Sequence, residues 1–192
     1  MDWFFLRLPF VAATVVFFVT ECMLSRVVKG RKDMKRDHGT FWFVWLSWNM
    51  AALSNVVCLI AFPPEVGAWQ LNIVGIALCA GAGMLRLASK RVLGKFYTMV
   101  VNISDDHRLI TNGPYRFIRH PLYAGFALFF LAWPLTLPST AGVFLGECFG
   151  GLPVLLAVLY RVRVEERALA DHFAEAWRAY ASSTPRLVPW IF

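Results

Sequence analysis

Five stretches of the chain are continuously apolar, at roughly residues 3–24, 41–62, 69–89, 121–138 and 140–160. The hydrocarbon core of a bilayer takes about 20 apolar residues of helix, and about 17 at the least. The pattern predicts an all-α integral membrane protein with about five transmembrane helices, residues 1–192 forming a single domain. The fourth stretch is the shortest, bounded by Pro134 and Pro138. With the fifth it is expected to form a tight hairpin that barely reaches the far side. Past the fifth, Leu169, Phe173, Ala176, Trp177 and Tyr180 recur at three- and four-residue steps. That spacing predicts a C-terminal amphipathic helix, ended by Ser182-Ser183-Thr184-Pro185.

Small residues refine this picture. Gly142, Gly146 and Gly150 lie four apart in the fifth stretch, as do Gly75, Cys79 and Gly83 in the third. In lipid, such stripes let helix backbones approach closely. Pro153 lacks an N–H and is expected to kink the fifth span and free a carbonyl. The N-terminus is apolar from Trp3, with no basic leader and no A-x-A cleavage pattern, and reads as a retained helix.

Charge sets the orientation. Loop 25–40 carries Arg26, Lys29, Arg31, Lys32, Lys35 and Arg36; segment 90–120 carries Lys90, Arg91, Lys95, Arg108, Arg116 and Arg119; the tail carries Arg161, Arg163, Arg167, Arg178 and Arg186. The loops at Pro63-Pro64 and Pro138-Ser139 carry none. The positive-inside rule puts the N-terminus outside and the C-terminus in the cytoplasm. The membrane would be the inner one in a bacterium and the endoplasmic reticulum in a eukaryote. Only 16% of residues are charged, against about 25% in a soluble domain. The net charge of +7 is therefore read as topology and contact with anionic lipid, not nucleic acid. Cys22, Cys58, Cys79 and Cys148 all sit in apolar runs without CxxC spacing, which indicates neither a zinc site nor a disulfide framework.

One stretch is too particular for a membrane boundary, Gly113–Gly125, "GPYRFIRHPLYAG". Pro121 suits the first turn of a helix, where its missing N–H would be unpaired anyway. Arg119 and His120 then stand just before a helix N-terminus, which favours an anion. Tyr115 and Tyr123 offer ring faces that attract a cation. The alternative is a snorkelling arginine among interfacial tyrosines. A second group is Arg161, Glu165 and Glu166. Arg161 and Glu165 share a helix face, and paired carboxylates can hold ribose hydroxyls; a surface ion pair is the alternative. A ligand with an amino-acid carboxylate, a ribose diol and a sulfonium would use both groups. S-adenosylmethionine is such a ligand.

The segments "HRLITNGPYRFIRHPLYAG" and "RVRVEERALADHF" resemble the isoprenylcysteine carboxyl methyltransferases and their small prokaryotic relatives, over roughly Gly81 to Pro189. Those membrane enzymes methylate lipid-borne acceptors with S-adenosylmethionine. The resemblance implies that residues 81–125 and 161–189 bind the cofactor. His107, Leu109 and Ile110 would line it. Tyr115, Arg119, His120, Pro121, Tyr123 and Gly125 would cradle it, and Glu165 and Glu166 would hold it. Arg161 would orient or polarise the acceptor as the catalytic residue, with no metal. Gly81-Ala82-Gly83 resembles the G-x-G of related phosphatidylethanolamine N-methyltransferases. Two departures fall on the tail helix: Phe173-Ala174 stands where the family has Phe-Gly, and Trp177 where a tyrosine is common.

Methyl transfer from a sulfonium is an in-line displacement, to which a protein contributes mainly proximity. A carboxylate acceptor needs no base, whereas an amine must lose a proton; no residue stands out as that base. The expected reaction is carboxyl O-methylation of an isoprenylcysteine-like substrate entering from the bilayer. The alternatives are a phospholipid amine N-methyltransferase, an NADPH-dependent sterol-type reductase and a non-enzymatic lipid-binding protein. Glu147, inside the fifth span, is a functional candidate because a charge at that depth is costly. Glu21 and Arg86 either pair or snorkel, or Arg86 faces the site.

Overall fold

The computed structural model describes residues 5–25, 37–65, 67, 69–97 and 108–189. Its described secondary structure is helical throughout: α1 Leu8–Ser25, α2 Thr40–Ala61, α3 Trp69–Leu93, α4 Pro121–Ala132, α5 Thr140–Gly146 and α6 Leu152–Ser183. Among the described residues four helical stretches are long and apolar enough to cross a membrane: Phe5–Leu24, Thr40–Ala61, Trp69–Phe96 and Thr140–Ser183. The chain is an all-α integral membrane protein. Its outer surface is greasy: Leu53, Ile60, Phe144 and Leu156 are all well exposed, as lipid-facing residues must be.

The fourth predicted span is shorter than its apolar run. α4 has 12 residues, about 18 Å of helix, and gives way to a 3₁₀ turn, Pro134–Thr136. Pro134 cannot continue an α-helix ladder, and the unwound carbonyls need donors in a place without water. Asn72 of α3, 4% exposed, supplies them: its Nδ2 donates to the carbonyls of Leu135 and Leu137, each at 3.0 Å. Ser139 then caps α5, its Oγ accepting from the Gly142 N–H at 3.1 Å.

The glycine stripes pack as expected. Gly150 lies against Ala51, Gly146 against Pro134 and Asn55, and Gly142 near Cys58, so α5 and the turn after it press on α2. Gly75 meets the end of the α4 hairpin at Thr136, Leu135 and Ala132, and Gly83 meets Thr20 of α1. α3 thus sits between α1 and α4. Lipid tails are as apolar as leucine, so fit between surfaces holds such helices together. Phe17, 1% exposed, sits amid Trp48, Phe129, Phe130 and Trp133 at ring separations of 4.9–6.3 Å.

Pro153 acts one turn earlier than expected. Lacking an N–H for the carbonyl of Phe149, it follows a π-helical turn, Glu147–Gly151, in which the Leu152 N–H reaches back to the Glu147 carbonyl. The half-buried Glu147 opens this turn. The fifth span and the tail are one helical run of 44 residues, Thr140–Ser183. The part before the kink at Ala174 is, at about 1.5 Å per residue, roughly 50 Å long, well beyond a hydrocarbon core of about 30 Å. The charged half beyond Tyr160 therefore projects out of the membrane.

That half is bent. Ala174 has φ 44° and ψ −109° inside the helix, a conformation that glycine accepts and an L side chain resists. It is the position where the resemblance expects glycine. Strain at a non-glycine residue here costs about 1–3 kcal/mol, offset by about 0.5–1 kcal/mol of glycine's extra unfolded-state freedom. Ala174→Gly is thus expected to raise the thermal midpoint in detergent by a few degrees. An unchanged or lower midpoint would show that the bend is not strained.

Candidate active site

The bend and the loop before α4 fold the tail back over the start of α4. His120 is the N-cap and Pro121 the first residue of that helix. The N–H of Arg119 donates to the carbonyl of Pro185 at 2.8 Å, and that of His120 to the carbonyl of Arg186 at 3.0 Å. Two short loop pieces, one from each of the two predicted cofactor segments, therefore lie side by side. Tyr180 Oη donates to the Tyr115 carbonyl at 2.5 Å. Trp177, 6% exposed, stands with its ring 5.8 Å from the Arg119 guanidinium carbon.

The structure divides the two glutamates between separate networks. Glu165 belongs to the first. Tyr123, one turn into α4, donates through Oη to Glu165 Oε2 at 2.6 Å, and Arg161 Nε donates to the same Oη at 2.8 Å. The four-residue spacing of Arg161 and Glu165 brings both to one tyrosine. Arg161 is 4% exposed. Its Nη1 reaches Thr40 Oγ1 at 3.2 Å and Asp37 Oδ1 at 3.4 Å.

Glu166 is the second node. Its Oε1 lies 3.2 Å from Arg119 Nη1 and 3.2 Å from His120 Nε2. Its Oε2 accepts from Arg186 Nε at 3.0 Å, with Arg186 Nη2 at 2.7 Å. Burial alone would raise this carboxyl, but the hydrogen bonds from His120 and Arg186 and the charges of His120 and Arg119 outweigh it, holding it at about 2. Burial also pushes the Arg119 guanidinium below its ordinary value and the Tyr180 phenol up to about 12.

The remaining expected residues are placed as follows. Tyr115 is buried in the turn before α4, and Leu109 and Ile110 lie half-buried in the loop leading to it. His107 lies outside the described residues. Gly125 faces α3, where an added Cβ would meet Arg86 Cγ at 2.6 Å and the Ala82 carbonyl at 2.9 Å. It lets α3 and α4 touch. Gly81 has open space around it, while Gly83 packs on α1. Arg86 pairs with Glu21 and lies 4.9 Å over the Phe126 ring.

Sequence reasoning missed Asp37, Thr40 and Arg186. Asp37 is 0% exposed yet reads as one more charge in a basic loop. Its bond to the Phe41 N–H is made from outside the Gly39 N-cap, a position without a standard helix-start signal. Arg186 had no local signal.

The donor set suits a zwitterionic, hydroxyl-bearing ligand. Arg119 Nε is buried with no partner among the described residues, a donor left for an anion. Glu165 engages Tyr123 through Oε2, which leaves Oε1 as an acceptor for a hydroxyl.

A family model described as phospholipid methyltransferase matches residues 71–176, a range that holds Tyr115, Arg119, Tyr123, Arg161 and both glutamates. The chain is 26% identical over 185 residues to a probable protein-S-isoprenylcysteine O-methyltransferase of Oryza sativa subsp. indica, covering 95% of each chain. It is 28% identical over 147 residues to the protein-S-isoprenylcysteine O-methyltransferase of Schizosaccharomyces pombe, covering 73% of this chain and 60% of that one. A shorter match, 36% over 76 residues, reaches methanethiol S-methyltransferase 1 of Bradyrhizobium diazoefficiens, covering 40% of this chain and 24% of that one. These matches set aside the reductase and the non-enzymatic reading. The chain belongs to the phospholipid methyltransferase family and is a membrane methyltransferase.

Proposed function

We propose that the protein transfers a methyl group from S-adenosylmethionine to the carboxylate of an isoprenylcysteine-type acceptor held at the cytoplasmic face of the membrane. The observation that carries this reading is the buried Arg161–Tyr123–Glu165 chain of hydrogen bonds. It sets a fixed guanidinium beside a carboxylate that can hold a hydroxyl. The relatives that match along most of the chain carry the name O-methyltransferase.

On this reading Arg119 and the start of α4 bind the amino-acid carboxylate, and Glu165 takes the ribose. Glu166 ties Arg119 and His120 to the tail, which closes over them through Trp177 and Tyr180. Leu109 and Ile110 line the adjoining wall. The cofactor supplies a methyl carbon already activated by its sulfonium. Arg161 aligns an acceptor carboxylate that is ionised at neutral pH, so no base is required. The lipid part of the acceptor stays in the bilayer. That arrangement accounts for an enzyme with so little protein outside the membrane.

The test is calorimetric titration of the detergent-purified protein with S-adenosylhomocysteine and, alongside, NADPH. Binding of the former is expected, with loss of it in Glu165→Ala and Arg119→Ala. Transfer of labelled methyl groups to N-acetyl-S-farnesylcysteine should then exceed transfer to phosphatidylethanolamine or a small thiol. Preference for phosphatidylethanolamine would replace the carboxylate with an amine, and preference for the thiol would replace it with sulfur.

A further inference from the structure

The turn before α2 contains a buried carboxylate that the reaction, as described so far, does not use. Asp37 is 0% exposed and is fixed on several sides. Its Oδ2 accepts from the Phe41 N–H at 2.7 Å. Its Oδ1 accepts from Thr40 Oγ1 at 2.9 Å. The same Oδ1 stands 3.4 Å from Arg161 Nη1, and Thr40 Oγ1 lies 3.2 Å from that nitrogen. Asp37 thus accepts from the second residue of α2, from two residues ahead of the Gly39 N-cap, and contacts the guanidinium of α6, 124 residues away in sequence.

Accepting a helix N–H does not by itself require a charge, since an amide oxygen also accepts. A carboxylate removed from water is costly unless an opposite charge compensates it. Arg161 supplies such a charge. The guanidinium is held from both ends, Nε by Tyr123 and Nη1 by Asp37 and Thr40. Its plane cannot rotate without breaking contacts at both. A planar fork fixed in this way can meet a carboxylate in one orientation only. We propose that Asp37 is a positioning residue for methyl transfer, holding the Arg161 guanidinium in the orientation that receives the acceptor. This rests on the role proposed above for Arg161.

The experiment compares wild type, Asp37→Asn, Arg161→Gln and the double variant, each purified in detergent. Asparagine preserves an acceptor for the helix N–H and removes the charge. Labelled methyl transfer to N-acetyl-S-farnesylcysteine is measured with the acceptor varied, and S-adenosylhomocysteine affinity is measured by calorimetry. Asp37→Asn is expected to lower kcat by about 10- to 100-fold, the scale of a misplaced reacting group, with product affinity within about two-fold of wild type. The double variant is expected to be no slower than Arg161→Gln alone, because the two residues act as one unit. If Asp37→Asn turns over at the wild-type rate, or its loss multiplies in full with that of Arg161→Gln, the positioning role is overturned while the function stands. If Arg161→Gln itself transfers normally, the role of Arg161 falls and this proposal with it. Should Asp37→Asn not fold, Thr40→Val takes its place. It leaves the charge and removes the hydroxyl that Arg161 meets, and it is expected to lower kcat in the same direction; an unchanged kcat would count against the proposal.

Discussion

Arg161→Gln is expected to lower methyl transfer by about 10²–10³-fold, the usual loss when one fixed donor to a reacting oxygen is removed. The same change should weaken the fold. Asp37 is fully buried, and Arg161 is a cation placed against it. Breaking a buried pair by removing one partner typically costs about 3–5 kcal/mol, because the other charge is left in a poor environment. The two effects separate under Arg161→Lys. Lysine restores a positive charge for Asp37 but not the planar fork that reaches Tyr123 and Thr40 together. Stability should therefore recover more than activity. Initial rates, paired with thermal midpoints of the same samples, check this. Equal recovery of both would mean that only the charge of Arg161 matters.

Glu166→Gln is expected to loosen the tail and lower affinity for S-adenosylhomocysteine together. The carboxylate gathers Arg119, His120 and Arg186, and its own side chain is 11% exposed. An amide cannot neutralise two guanidinium groups, so Arg119 and Arg186 would repel. Acid should act in the same direction. The folded carboxyl sits at about 2, below an unfolded value of about 4.3. A carboxyl depressed by folding stabilises fully above its unfolded value, and that stability disappears as pH falls through the folded one. The wild type should thus lose on the order of 3 kcal/mol between about pH 4.5 and pH 2. Glu166→Gln should start lower at pH 7 and fall less steeply across that window. Parallel curves for the two proteins would show that other carboxyls dominate the acid transition.

Much of the framework was legible along the chain. Apolar runs mark where helices must lie, because a bilayer offers backbone groups no water and forces them to bond internally. The glycine stripes were legible for a related reason: in lipid, close approach of backbones is what holds helices together. The start of α4 at Pro121 followed from proline chemistry, and the end of α6 from Thr184-Pro185. The arrest of α4 at Ala132 was not legible, since it depends on Asn72, about 60 residues earlier, reaching the freed carbonyls. Pro153 announced a disturbance, but not its form, a π-helical turn in which Gly150 packs on Ala51 of α2.

At the site, the residue types and their local spacings were determined by sequence: the Arg-His-Pro before a helix, and an arginine four residues before a glutamate. These are short-range facts, set by the 3.6-residue turn and by proline's missing N–H. Tertiary structure alone decided which of them touch. It separated Glu165 from Glu166, gave Gly125 to helix packing, and brought Asp37 to Arg161 and Arg186 to Glu166. Each of these pairings crosses between elements distant in sequence. Its geometry depends on how bent and shortened helices pack, which no local pattern encodes.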